Sequence, residues 1–389
     1  MRTIGVVTTS RADYGIYVPV LKAINARRGL RFHLYVTGSH LSKAAGMTVR
    51  LIERDGFKIA GRVAVKGGDQ PSDIAAAMAA IISGFSGIYK KDKPDILLTL
   101  GDRFDMHASA LAAVPFNIPI AHIHGGELTR GSFDEYFRHS LTKLSHLHFA
   151  STKIYARRLM QMGEEPWRIV ISGAPALDNI LHRPLMTRVQ LAKKFGVDFS
   201  KPVLLITFHP VTLEYQRTAR YIADLLRTLG SFKDYHIVFT APNTDTYSGV
   251  ILKAIKQFVA KHANAFYVPN FGAMGYLSMM RYAAAMAGNS SSGIIEAASF
   301  QLPVINIGTR QIGRVRTKNV IDAGYRPAEI AQGIRKGLSA SFRASLKGLK
   351  NPYGDGKAAC RIADALARVD MKRLKVKKFR DLKGLWNTD

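Results

Sequence analysis

The stretch "TIGVVTTSRADYGIYVPVLKAINARRGLRFHLYVTG" (residues 3–38) decides the fold. Its opening, "TIGVVTTS", is apolar or β-branched at nearly every position, as a strand covered on both faces must be. "GIYVPVLKAINAR" then spaces its apolar residues as an amphipathic helix does, and "RFHLYVTG" reads as a second strand. Strand, helix and strand in succession make a parallel βαβ unit. Working outward, the alternation continues through "DILLTLGD", "IPIAHIHG", "HLHFAST" and "RIVISGAP". A polar stretch with two prolines, "LHRPLMTRVQLAKKFGVDFSKP" (181–202), reads as a crossing between domains. The pattern then restarts with "VLLITFHP", "YHIVFTAPN", "NAFYVPNF", "AAAMAGNSSS" and "LPVINIG". The expectation is an α/β protein of two doubly wound, Rossmann-like domains facing a cleft. They span 1–182 and 183–370, and a basic segment, 371–389, returns to the first domain as a helix.

Length and composition agree with this. A chain of 389 residues exceeds one ordinary core and fits two domains. Its 56 basic residues against 28 acidic ones give a net charge of +28, which attracts polyanions. The basic residues are spread along the whole chain, however, and the densest run is "KRLKVKKFRDLK" (372–383). Neither zinc-finger spacing nor an aromatic-plus-basic RNA signature accompanies them, so no specific nucleic-acid partner is expected. The apolar run "IAAAMAAII" (74–82) is too short for a bilayer and predicts no membrane span. The N-terminus reads as a first strand, not as a signal peptide. The single cysteine, Cys360, excludes an internal disulfide and any Cys-based metal site, which suits the cytoplasm.

Open parallel sheets bind ligands at the carboxyl ends of their strands, and the chemistry-bearing residues fall there. Arg11, in the turn after the first strand, suits a phosphate, or pairs locally with Asp13. In "GNSSSGIIEAASF" (288–300), Ser290, Ser291 and Ser292 precede a helix and form a phosphate cradle, while Glu296, one turn on, would accept ribose hydroxyl protons. Together they suggest a nucleoside diphosphate. His209 in "FHPVT" would donate to a phosphate or act as an acid. Arg310 in "GTRQIGR" would close over the nucleotide, and Asn243 in "APNTD" offers a polar loop contact. In "LGDRFD", Asp102 beside Arg103 would be ionised and could serve as a general base.

The densest cluster is "AHIHGGELTRGSFDEYFRHS" (121–140). His122 and His124 alternate along a strand and would share a face. Their spacing is also that of metal ligands, with Glu127 or His139 as a third. The phosphate-and-arginine character of the neighbouring motifs favours acid–base work without a metal. Asp134 and Arg138 lie one helical turn apart, as do Glu135 and His139, so Arg138 would hold Asp134 toward the cleft.

These motifs, in collinear order over roughly residues 1–360, resemble the hydrolysing UDP-N-acetylglucosamine 2-epimerases of sialic acid synthesis. They also resemble relatives acting on UDP-N,N′-diacetylbacillosamine. "SRADYG", "VTGSHLS", "GDRFD", "HIHGGE", "FDEYFRHSLTKLSHLHFAST", "QMGEEPWRI", "GNSSSGIIEA", "INIGTRQIGRVR" and "NPYGDG" carry the likeness. The resemblance implies a fold like the GT-B glycosyltransferases, a UDP-sugar substrate, no metal or other cofactor, and a homo-oligomer, either dimer or tetramer. It implies nucleotide-sugar contacts at Arg11, Arg103, His209, Asn243, Ser290, Ser291, Glu296 and Arg310, and essential acids at Asp102 and Asp134. One departure matters: some relatives have a glutamate where this chain has His124. Either His124 or Glu127 takes that role, and base and acid stay open among Asp102, His124, Glu127 and Asp134.

Overall fold

The structure is a computed structural model that describes residues 1–43, 45–68, 70–129, 132–182, 184–242 and 247–381, apart from the side chains of His182 and Thr212. The chain forms two compact units. The first comprises Met1–Glu127, Asp134–Asp178 and Tyr353–Asp389; the second comprises Leu128–Phe133 and Asn179–Pro352.

The first unit is built on seven parallel strands: β1 (Arg2–Thr8), β2 (Leu30–Thr37), β3 (Ile59–Val63), β4 (Ile96–Leu100), β5 (Ile120–Ile123), β6 (Leu147–Ala150) and β7 (Ile169–Ile171). Their spatial order is 3-2-1-4-5-6-7. The central strands are buried at nearly every residue, which explains their unbroken apolar runs. The second unit has six: β8 (Val203–Thr207), β9 (His236–Thr240), β10 (Ala265–Val268), β11 (Ala285–Gly288), β12 (Val304–Ile307) and β13 (Val320–Ala323), in the order 10-9-8-11-12-13. Both are doubly wound. Each reverses direction once, between β1 and β4 and between β8 and β11, and such a switch point is where open sheets bind ligands.

Two strands are absent from the sequence-based reading. β3 ("IAGRV") and β13 ("VIDA") lie at sheet edges, are only partly buried and lack the continuous apolar run of a central strand. The helix Arg11–Ala26 follows the expected stripe, burying Tyr14, Tyr17, Val18, Leu21 and Ile24. It begins at Arg11, so Gly15 lies a full turn inside it and not at its start. The run 74–82 belongs to a longer helix, Pro71–Lys91, which by length and composition alone could cross a membrane. Its brevity therefore argues nothing. What places the helix is packing, because Ile81, Phe85 and Tyr89 are fully buried in the core of the first unit.

The unit boundaries also differ from the expected ones. The second unit ends at Pro352, not at 370, and takes in Leu128–Phe133. The chain returns to the first unit with the helix Ala358–Arg368, which buries Ala359, Ile362, Ala363 and Leu366 and packs on the helix Arg11–Ala26. Arg2 donates to the carbonyls of Leu366, Ala367 and Val369 and closes its C-terminal end. Of the basic segment only Met371–Lys375 is helical; residues 376–381 continue as a strap, and 382–389 lie outside the described residues. Arg168, almost fully buried, donates to the carbonyls of Leu374 and Val376. Lys377 Nζ reaches the buried Glu164 carboxylate at 2.9 Å and the carbonyls of Lys143 and Ser145. Burial pushes the pKa of Glu164 up, but hydrogen bonds from His148, Lys377 and Lys143 outweigh it and hold the group at about 2.

Candidate active site

In the first unit the site grows from the carboxyl ends of β4 and β5. Asp102 and Arg103 follow β4, and Arg103 caps the helix Phe104–Leu111. Arg103 Nε lies 3.3 Å from Asp105 Oδ1, on a carboxylate that is itself buried. The alternative pairing of Arg11 with Asp13 gives way to another. Asp13 accepts from Thr9 Oγ1 at 2.6 Å, and Arg11 stays exposed at the helix start. Burial, with Arg103 opposing it and the charge of Asp105 adding to it, raises Asp13 to about 6.

The "HIHGGE" stretch does not behave as two ligands on one face. His122 lies within β5 and is fully buried, with Nε2 2.7 Å from the carbonyl of Gly101. Burial drives its pKa down to about 3, against the help of that hydrogen bond, so at neutral pH the ring is uncharged and Nε2–H donates. His124 lies just past the strand end with φ 68°. That left-handed backbone is uncommon for a residue with a Cβ and turns the side chain away from the strand's alternation. Its Nδ1 lies 2.6 Å from Glu127 Oε1, and Ser151 Oγ donates to the same oxygen at 2.6 Å. Among the described residues no cluster of three or more His, Cys, Asp or Glu is arranged to hold a metal ion.

Arg138, in the helix Asp134–Leu144, is 2% exposed and joins these parts. One nitrogen donates to Asp102 and another to the carbonyl of His124 at 3.1 Å. Arg138 thus ties the β4 loop to the β5 loop. Asp134 opens the same helix one turn earlier and is half-buried. Glu135 and His139 do meet, at 3.3 Å.

In the second unit the sequence reading brought His209, Ser290 and Arg310 into view but missed the residue that organises them, Asn289. Asn289 Oδ1 accepts from the His209 N–H at 2.7 Å, and its Nδ2 donates to the His209 carbonyl at 2.8 Å, which joins the loops after β8 and β11. The Asn289 carbonyl accepts from Arg310 at 3.2 Å and from Gln311 at 2.8 Å, which adds the loop after β12. This closeness requires Gly288: with φ 136°, a Cβ there would sit 1.9 Å from the Thr207 carbonyl oxygen. Tyr276, also missed, bonds Thr207 Oγ1 at 3.1 Å, and burial pushes its hydroxyl up to about 12.

His209 is buried, and desolvation followed by the charge of Arg310 holds its pKa well below the usual imidazole value. A neutral ring can donate a hydrogen bond to a phosphate, and the same burial disfavours the protonated form. The serine loop also differs from expectation. Ser292–Ile295 is a single helical turn followed by the 3₁₀ turn Ala297–Phe300, too short for a substantial helix dipole. Donors in this loop are therefore local groups, Ser290 and its neighbours. Glu296 closes that turn as expected, its N–H donating to the Ser292 carbonyl. Asn243 lies outside the described residues.

Residues 22–367 match the model of the family described as UDP-N-acetylglucosamine 2-epimerase. The UDP-N,N′-diacetylbacillosamine 2-epimerase (hydrolyzing) of Legionella pneumophila is 36% identical over 372 residues, covering 95% of this chain and 97% of that protein. The polysialic acid biosynthesis protein P7 of Escherichia coli is also 36% identical, with 91% and 90% covered. A solved UDP-GlcNAc 2-epimerase from Neisseria meningitidis, bound to UDP-GlcNAc, superposes with a TM-score of 0.81 over 95% of this chain and 100% of that one. At 19% identity that likeness speaks for the fold alone. A family model spanning most of the chain, and relatives aligned almost end to end, place the chain in the UDP-N-acetylglucosamine 2-epimerase family.

Proposed function

We propose that this protein is a hydrolysing UDP-sugar 2-epimerase that converts UDP-N-acetylglucosamine and water to N-acetylmannosamine and UDP, for nonulosonic acid synthesis. A base on the first unit removes the proton at C2 of the sugar. The C2–H electrons form the C1=C2 double bond, and UDP leaves from C1 with the C1–O electrons. Water then adds at C1 of the 2-acetamidoglucal and a proton returns to C2 on the opposite face. The observation that carries this reading is the cluster of half-buried Asp102 with buried Arg138, His124 and Glu127 at the carboxyl ends of β4 and β5. Such a cluster holds proton-carrying groups in fixed positions, as abstraction of a weakly acidic C–H requires.

The second unit supports the nucleotide half of the reading. His209, Ser290 and Arg310, gathered by Asn289, are donors suited to a diphosphate, and Glu296 suits the ribose hydroxyls. Arg11 and Arg103 supply further positive charge. Each good donor to the leaving diphosphate is worth roughly 3–4 kcal/mol by analogy with oxyanion sites. The names of the Legionella and E. coli relatives favour a second substrate reading: the same reaction on UDP-N,N′-diacetylbacillosamine. Assay of both UDP-sugars side by side, with proton NMR in deuterated water, distinguishes them through the product formed and the deuterium at C2. The test of the reaction itself is Asp102→Asn. Product formation is expected to fall by about 10³-fold or more while UDP binding, read by calorimetry, stays within about threefold. Loss of UDP binding in that variant contradicts the assignment.

A further inference from the structure

We propose that His124 Nε2 is the base that takes the C2 proton, and that Glu127 and Ser151 are positioning residues that hold its ring. This deepens the reading above and rests on it. The sequence leaves His124 and Glu127 as equal candidates; the geometry separates them. Glu127 is 1% exposed, and its Oε1 receives both His124 Nδ1 at 2.6 Å and the Ser151 hydroxyl at 2.6 Å. An oxygen that accepts from two donors is committed to them. As a carboxylate it accepts only, so Nδ1 carries the hydrogen and the basic lone pair lies on Nε2. Nε2 has no hydrogen-bond partner among the described residues.

The backbone fixes the direction of that nitrogen. The His124 N–H donates to the Phe149 carbonyl at 3.1 Å, and the His124 carbonyl accepts from Arg138 at 3.1 Å. Between these two anchors the residue adopts φ 68°, a left-handed conformation that a side chain with a Cβ keeps only when its surroundings impose it. Phe149 and Ser151 both belong to the β6 end, so one strand terminus supports both the backbone of His124 and the carboxylate behind its ring. His122 provides the contrast. Two residues away, its Nε2–H is spent on the Gly101 carbonyl and burial drives its pKa down to about 3, so the ring resists taking up a second proton. Asp102 is engaged by the guanidinium of Arg138, which donates to its Oδ2.

In the step itself, Nε2 accepts the C2 hydrogen and becomes imidazolium. The C2–H pair becomes the C1=C2 bond and the C1–O pair leaves with UDP. Glu127, at the far side of the ring, stabilises the imidazolium without taking its proton, as the third member of a hydrogen-bonded triad does. Ser151 in turn orients Glu127.

The test uses the full chain and substitutions at three positions. Glycine tolerates positive φ, so His124→Gly keeps the local backbone. Its turnover is expected to fall about 10³-fold, and added imidazole is expected to restore turnover at least about tenfold with saturation, with UDP affinity unchanged. Glu127→Gln is expected to lose roughly 10- to 100-fold in kcat with little change in KM. Ser151→Ala should lose about threefold to tenfold, and Ser151→Thr should recover it. His124→Gln, a second variant at the site, should match the loss of His124→Gly without rescue. Turnover in His124→Gly within about threefold of wild type overturns the proposal. So does abolition of turnover by Glu127→Gln together with absence of imidazole rescue, which would place the proton on Glu127. Wild-type protein that turns over neither UDP-sugar sinks the functional reading and this proposal together, whereas turnover surviving His124→Gly sinks only the role of His124.

Discussion

The two switch points are built from different materials. In the first unit the loops after β4 and β5 are joined by charge, with a buried guanidinium between a carboxylate and a backbone carbonyl, and a histidine on a buried glutamate. In the second, the loops after β8, β11 and β12 are joined by a neutral amide, Asn289, and the buried imidazole beside it is kept uncharged. Buried charge pairs hold groups whose protonation can change. Neutral amide bridges hold backbone in place. On the proposed function the same strand order would serve two tasks, with Arg310 meeting the diphosphate, and the contrast can be broken at defined residues.

Asp102→Asn, on the charged side, carries the largest expected effect. Its mirror image on the neutral side is Asn289→Ala. This leaves the N–H and carbonyl of His209 without their partner, at roughly 1–3 kcal/mol for each buried group. UDP affinity is expected to fall about 100-fold by calorimetry while kcat at saturating substrate stays within about threefold. A fall in kcat of the size expected for Asp102→Asn would erase the distinction. A smaller effect comes from the strap. Lys377→Met removes one of three cationic or imidazole partners of the buried Glu164, and about 2 kcal/mol of stability should go with it. Hydrogen exchange should then quicken in the first unit alone. Equal acceleration in both units contradicts a role for the strap confined to the first unit.

Acid provides the mildest probe. Burial lowers the pKa values of His40, His107, His122, His146 and His148 in the first unit, with His40 and His146 at about 4 and His122 at about 3. Unfolded imidazoles titrate near 6.5. Between those values the unfolded chain binds more protons, so this stability is complete above about pH 6.5 and declines as pH falls toward 4. Asp13, raised to about 6, opposes them: its contribution is full below about pH 4 and is lost as pH rises through 6. In the second unit burial lowers the pKa of His209 in the same sense. Exchange measured at pH 5 and pH 7, corrected for intrinsic rates, should show the larger loss of protection in the first unit.

Most of the fold is legible in the sequence because buried parallel strands must be apolar throughout, and "DILLTL" or "VLLIT" can be little else. The edge strands are not legible, since "IAGRV" and "VIDA" bury one side at most and carry no such run. The return at residue 353 is hidden for a different reason. The helix Ala358–Arg368 is amphipathic like any surface helix, and nothing local reveals that its partner is the helix Arg11–Ala26 at the other end of the chain. At the site, residues whose chemistry is evident from their type, such as Asp102, His124, Ser290 and Arg310, could be named in advance. Those that act on distant backbone could not. Asn289 sits inside a quoted motif, yet its partner is 80 positions away. Ser151 ends the run "HLHFAS" and looks like a strand terminator until Glu127 is placed beside it.

The strap has a consequence for biogenesis. Glu164 is made early by the ribosome, but Lys377 and the carbonyls that satisfy Arg168 emerge only after the whole of 179–352 has been translated. A nascent chain can therefore finish the later lobe while the earlier one still waits for its last partners. The amino-terminal half is completed from the carboxyl end, and the lobe begun first is the last to close.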